Sequence, residues 1–291
     1  MKLALAAYQP QWHASWSAFC EKVTNWVETA VSEGGELLVF PEYAGLEAAL
    51  IGPVQERSMA DWITLATQAE APYLTLLGDL AARHNVHILS GSGPAVAEQG
   101  HVNRAWLIGP QGRVKQDKLI PTPYERTEMG LVGGQEIACI DTALGRIGIL
   151  ICYDSEFPLL ARDLAEAGVE VILVPSCTDF PAGQTRVRQS CRARAIEQQC
   201  LVVQAPLVGA VEACEVIDQN TGRAGAFCPP DHGLPADGIV AQGPVDFAGW
   251  TYVEADPAAI SAPRKSGQVG NFAHWAEQTG PKPRVTNHTI A

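Results

Sequence analysis

Short apolar runs alternate with longer amphipathic stretches along this chain. "LALAAY" (3–8) has no polar interruption, the pattern of a strand buried on both faces. From about Ser15 to Glu33 apolar residues recur at helical spacing, and Gly34-Gly35 ends that helix before a second run, "ELLVF" (36–40). A helical zone over roughly 60–84 leads into a third, "VHILSG" (86–91). "NRAWLIGPQGRVKQDKLI" (103–120) alternates on either side of Gly109-Pro110-Gln111-Gly112, a hairpin signal. A second hairpin joins "EIACID" to "RIGILIC" through Thr142-Ala143-Leu144-Gly145. A helix from Pro158 to Ala167, a strand over 169–176, a basic-faced helix over 184–199 and a strand over 200–206 follow. Beyond these, turns and hairpins dominate, with a last strand at 250–256. Hairpins mixed with strand–helix–strand units predict sheets covered by helices: an α/β fold in a single domain over 1–260, not a plain doubly wound parallel sheet. From 261 to 291 the chain is rich in Pro, Gly and polar residues, which reads as a tail either loose or packed on a partner subunit.

Composition narrows the partners. With 47% hydrophobic and 18% charged residues in 291, the chain has the makings of a well-buried core and not of a disordered segment. A net charge of −12 without any basic run excludes a nucleic-acid or anionic-membrane surface. The apolar stretches are too short to span a bilayer, and the opening "MKLALAAYQP" reads as a strand sooner than a signal peptide. Eight cysteines fall no closer than nine residues apart, so no CxxC pair exists. Their scatter through apolar segments fits buried thiols in a reducing cytoplasm. His84 and His87 stand at a helix-to-strand junction with no carboxylate or cysteine beside them, a poor metal set.

Three polar residues stand where apolar runs stop. Glu42 follows "ELLVFP", Lys118 lies in "KQDKLIPTPYER", and Cys152 closes "GRIGILIC". In helix-covered sheets, strand ends and the loops after them build the ligand-binding rim. A thiol, a carboxylate and an ammonium suit acyl transfer: one attacks, one carries protons, one stabilises developing negative charge. Each also has an ordinary reading, as a core cysteine, a solvated strand-end carboxylate and a surface lysine.

The surrounding segments resolve that choice. "VFPEYAGL" around Glu42, "KLIPTPYERTEMG" from Lys118 and "GILICYDSEFPLLARDLAEAG" around Cys152 resemble, in order, the three signatures of the nitrilase (carbon–nitrogen hydrolase) superfamily. A fourth segment, "CRARAIEQQCLVVQ" (191–204), is similar to the helix-to-strand unit that follows them in that family. The resemblance spans roughly residues 3–256. It implies a four-layer α-β-β-α sandwich that pairs as a homodimer or higher homo-oligomer. It implies Cys152 as nucleophile, Glu42 as general base and acid, Lys118 as oxyanion stabiliser with the Tyr153 N–H, and Glu125 as an orienting second glutamate. Tyr43, Tyr124, Cys177, Thr178 and Asp179 become the residues expected to touch substrate, while Asp154, Glu156 and Arg194 are expected to hold the Cys152 turn. The chemistry implied needs no metal or organic cofactor. Tyr153-Asp154 after the cysteine is the pattern of the family's amidase-like members, where nitrile-cleaving ones show Trp-Glu. The expectation is therefore an amidase acting on a small-molecule amide, with a nitrilase, an N-acyltransferase or a catalytically silent binding member as rivals. Glu156, and "TDFPAGQTRVRQ" after Cys177, depart from familiar amidases where the pocket wall should lie, so no substrate transfers.

Overall fold

The computed structural model of the chain describes residues 1–280 and 285–290. Five strands lead: β1 (Lys2–Ala7), β2 (Leu37–Phe40), β3 (His87–Ala97), β4 (Gly100–Gly109) and β5 (Gly112–Asp117). Six more follow, β6 (Cys139–Thr142), β7 (Gly145–Ile149), β8 (Val171–Ser176), β9 (Leu201–Pro206), β10 (Gly225–Phe227) and β11 (Ile239–Gln242), and β12 (Gly249–Glu254) comes last. They form two six-stranded sheets, in the orders β12-β1-β2-β3-β4-β5 and β11-β10-β9-β8-β7-β6. In the first sheet β1, β2 and β3 run parallel; in the second β7, β8 and β9 do; antiparallel strands flank both.

Two pairs of helices cover the sheets: α1 (Trp16–Ser32) and α2 (Met59–His84) on the first, α3 (Pro158–Glu166) and α4 (Pro181–Gln198) on the second. The alternation within β1 shows the layering. Ala4 and Ala6 pack with Phe19, Val27 and Leu77 beneath α1 and α2, while Leu3 and Leu5 join Ile149, Leu173 and Val203 between the sheets. A strand buried on both faces needs apolar residues at every position, which is why 3–7 carries no polar residue. The result is the α-β-β-α sandwich in one domain.

Boundaries differ in informative ways. The strand expected over 86–91 continues to Ala97, past a register shift between Leu89 and Ser92. Gly91 sits in that irregularity at φ +75°, where a Cβ would come within 2.3 Å of the Pro41 carbonyl oxygen, so glycine lets β3 pass directly behind the Glu42 loop. The domain boundary expected at 260 falls at the end of a short helix, Pro257–Ser261. The first part of the expected tail contacts this domain: Arg264 donates to the carbonyls of Val169 and Gln198, Arg162 to that of Phe272, and Gln199 to that of Val269, while 281–284 and 291 of that tail lie outside the described residues.

Candidate active site

Four strands deliver polar residues to one end of the sandwich. Glu42 lies two residues beyond β2, Lys118 directly after β5, Cys152 three residues beyond β7, and Cys177 directly after β8. The apolar runs of β2, β7 and β8 hold their backbones in the core until the chain emerges at the rim, whereas β5 is a polar, largely exposed edge strand that ends directly at Lys118.

Lys118 is the hub. Its Nζ lies 2.8 Å from Glu42 Oε1 and 2.6 Å from Glu125 Oε2, with all three side chains almost fully buried. Glu125 is fixed from other directions as well. It opens a one-turn helix, Pro123–Thr127, in a reciprocal cap with Thr122, and accepts from the Tyr43 hydroxyl at 2.7 Å. Glu42 receives the Cys177 N–H on Oε2 at 2.9 Å. The Cys152 thiol lies 3.6 Å from the Cys177 carbonyl oxygen, close enough to Glu42 and Lys118 to feel the charge of both. Thiol, carboxylate and ammonium thus lie together at one buried spot.

The turn after β7 explains how a buried thiol is aimed. Cys152 takes a left-handed conformation, φ +47°, rare for a side chain with a Cβ, and begins a 3-10 turn over Cys152–Glu156. Such a turn leaves its first N–H groups, Tyr153's among them, without partners inside the helix. Asp154 accepts from the backbone N–H groups of Leu119, Ile120 and Ile151, tying the Lys118 segment to the Cys152 segment. Ser155 Oγ donates to the Cys152 carbonyl at 2.6 Å, and Arg194 donates to the Ser155 carbonyl at 3.2 Å.

Charges are distributed unevenly. Burial and the negative charge of Glu42 push the Cys152 thiol well above its ordinary value, against the pull of Lys118. Burial also raises Glu42, with Lys118 opposing and Glu125 assisting. Burial would raise Glu125 too, but Lys118 and the Thr122 and Tyr43 donors outweigh it and hold its carboxyl below the usual range. Lys118 is held well above its ordinary value because Glu42 and Glu125 overcome its desolvation. At rest the site therefore holds a Lys118–Glu125 ion pair, a neutral thiol and a carboxylate of heightened basicity beside it.

A cavity of about 580 Å³ opens above this cluster, and all ten site residues expected from the sequence line it. Tyr43 differs from expectation in its engagement: its buried hydroxyl is committed to Glu125, so it braces the cluster instead of waiting for substrate. Tyr124, Thr178 and Asp179 lie further out, and the Cys177 thiol is turned to Asn220 at 3.1 Å. Sequence reading missed Asn103. Its Nδ2 donates to Glu42 Oε1 at 3.0 Å and Glu125 Oε1 at 2.9 Å, a second bridge between the carboxylates. Among the described residues no group of His, Cys, Asp and Glu is disposed to hold a metal ion, and no helix is long and apolar enough to cross a membrane.

Comparison with known proteins follows the same lines. The family model for carbon–nitrogen hydrolase matches residues 2–246. A probable hydrolase, YhcX of Bacillus subtilis (strain 168), is 35% identical over 244 residues, 83% of this chain and 47% of that protein. Nitrilase 2 of Arabidopsis thaliana is 29% identical over 202 residues, 65% of this chain and 58% of that protein. The chain thus spans about half the length of these curated relatives. Among solved structures, Nit3 of Saccharomyces cerevisiae, a member of branch 10 of the nitrilase superfamily, superposes with a TM-score of 0.70 at 21% identity, covering 91% of this chain and 93% of that one. A mutant amidase from Nesterenkonia sp. AN1, which shows Michael addition of acrylamide at its active-site cysteine, superposes with a TM-score of 0.64 at 18% identity, covering 91% and 96%.

Proposed function

The chain belongs to the carbon–nitrogen hydrolase family, and from that premise we propose that it hydrolyses a small amide through a thioester on Cys152. The observation that carries the reading is the buried Glu42–Lys118 pair beside the Cys152 thiol at the floor of one cavity. A raised carboxylate beside a neutral thiol is matched to proton transfer: Glu42 takes the thiol proton as sulfur attacks the amide carbon. Lys118 and the Tyr153 N–H receive the oxyanion of the tetrahedral intermediate. Glu42 then returns its proton to the leaving ammonia or amine, which departs to leave the thioester. A water molecule, deprotonated by Glu42, cleaves that thioester to the carboxylic acid and restores the thiol.

Glu125 stays ionised beneath Lys118 throughout and keeps the ammonium aimed at the oxyanion. The amide is favoured over the nitrile by Tyr153-Asp154 after the nucleophile. The Asp154 carboxylate is committed to three backbone N–H groups and forms part of the turn.

A panel of amides, ω-amides, carbamoyl compounds and nitriles assayed for ammonia tests the proposal, with Cys152→Ala as the blank. Ammonia and acid from an amide, abolished in Cys152→Ala, is the expected result. Turnover confined to nitriles would replace the amidase reading with a nitrilase. A new amide formed when an amine is added would make the protein an acyltransferase. Ammonia release undiminished in Cys152→Ala would end the mechanism.

A further inference from the structure

The cavity has two electrostatic zones. Its floor is the Glu42, Lys118, Glu125, Cys152 cluster described above. Its mouth carries four more carboxylates, Glu156, Asp179, Glu215 and Asp218, against one cation, Arg186. Arg186 lies 3.5 Å from Glu156. Asp179, Glu215 and Asp218 have no paired cation among the described residues, and all three are open to solvent.

These three converge although they come from separate segments. Asp179 stands on the loop between β8 and α4, whereas Glu215 and Asp218 belong to the loop after β9. Burial and the nearby charge of Asp218 raise the Asp179 carboxyl. The Tyr124 phenol, which lines the same cavity, is raised by burial first and then by Glu215, Asp218, Asp179 and Glu128. Lining one cavity from two segments distinguishes them from carboxylates dispersed over an acidic surface.

A second feature of the mouth points to the same ligand. Three aromatic rings, Tyr124, Tyr153 and Phe180, line it, and Phe180 is 63% exposed. An apolar ring that far into water, on the rim of a cavity with a nucleophile at its base, is available to a ligand. Carboxylates interleaved with aromatic faces suit an alkylammonium, whose charge meets the carboxylates and whose methylenes and cationic head lie on the rings.

We propose that this mouth selects amides bearing an ammonium group at the end remote from the scissile bond, the cation held among Asp179, Glu215 and Asp218 while the amide carbon reaches Cys152. The inference rests on the amidase reading for its chemistry and on the mouth alone for its charge preference. Anionic amides are correspondingly excluded.

The test compares cationic and neutral amides of matched length: 4-aminobutanamide against pentanamide, and 5-aminopentanamide against hexanamide. At low ionic strength kcat/KM should favour the cationic member by about tenfold, the margin shrinking as salt screens the exposed charges. The double variant Asp179→Asn with Asp218→Asn should bring the ratio close to one, chiefly by lowering kcat/KM for the cationic member. A wild-type ratio of one or less, or a preference indifferent to the double variant, overturns the proposal while the amidase reading stands. If neither member of a pair is hydrolysed, the charge preference is read from binding instead. Calorimetric binding of the same pairs to Cys152→Ala then decides the charge preference. Tighter binding of the cation supports it, and equal or absent binding overturns it.

Discussion

At the scale of single residues, the question is what keeps two carboxylates and an ammonium buried together without their ionisation collapsing. A buried charge is tolerated when paired and hydrogen-bonded, and removing one partner from such a set typically costs about 3–5 kcal/mol. Lys118 supplies the charge, but Asn103 supplies the second bridge, and its own carbonyl oxygen is buried without a partner. An orphaned acceptor costs about 1–3 kcal/mol, so the residue is held there by what its amide N–H groups do. Because those donors stabilise the ionised form of Glu42, replacing Asn103 by Leu should raise the Glu42 pKa further. Wild-type kcat/KM should fall on the acid side as Glu42 protonates, at a pH above the ordinary carboxylate range, given the raised Glu42. In Asn103→Leu that limb should move to higher pH, with kcat at the optimum lower by about 10- to 100-fold, the equivalent of one charge-assisted hydrogen bond. A pH–rate profile checks both. An unmoved acid limb would mean that Asn103 only fills space.

The residue scale is also where sequence reading was weakest. Glu42 and Cys152 were legible because each ends an apolar run inside a distinctive segment, and Lys118 because its segment is distinctive although the strand before it is polar. Asn103 was not, since a polar residue in a hairpin strand looks like any outward-facing position until the partner strands are placed. Glu47 was hidden in the same way. It is fully buried in the 3-10 turn after Glu42, where Tyr8, His13 and Lys22 all meet its carboxylate. A lone glutamate among the apolar residues of "GLEAAL" was the available signal.

At the scale of elements, the chemistry depends on joints between strand ends more than on the strands. Asp154 is the clearest joint, because its carboxylate satisfies N–H groups from the Lys118 segment and from the Cys152 turn at once. Asp154→Ala strands three backbone donors. At about 1–3 kcal/mol for each group left unsatisfied, a loss of about 3 kcal/mol or more is expected. Urea denaturation should show it as a lower midpoint, and Asp154→Asn, which keeps one acceptor, should fall between. A midpoint unchanged in Asp154→Ala would show that the two segments are held by packing alone. Element type was legible for the long periodic stretches. The second half of β3 was not: Gly91, Gly93 and Pro94 carry the local marks of a turn, and only pairing with β4 makes them a strand.

For the whole molecule, two sheets face each other through their apolar inner sides, and the loops of both close one cavity from opposite directions. Glu42 and Lys118 come from the first sheet; Cys152 and Cys177 come from the second. The site therefore exists only when the sheets are docked, which the alternating and fully apolar strand patterns secure. Sheets covered by helices were readable from those patterns, and the four-layer arrangement from the family resemblance. The acidic mouth was legible only at Asp179, expected to touch substrate; Glu215 and Asp218 lie 36 residues or more beyond it, and nothing local links them to it.

The central claim is that Cys152 carries the acyl group. An amide that releases ammonia should be mixed with the enzyme, quenched in acid within the first turnovers and digested at low pH, where a thioester survives. Mass spectrometry of the fragments should show the acyl adduct on the fragment containing Cys152, absent from Cys152→Ser. Ammonia released in amounts matching the enzyme, with no adduct on Cys152 or with the adduct on another residue, would contradict the account.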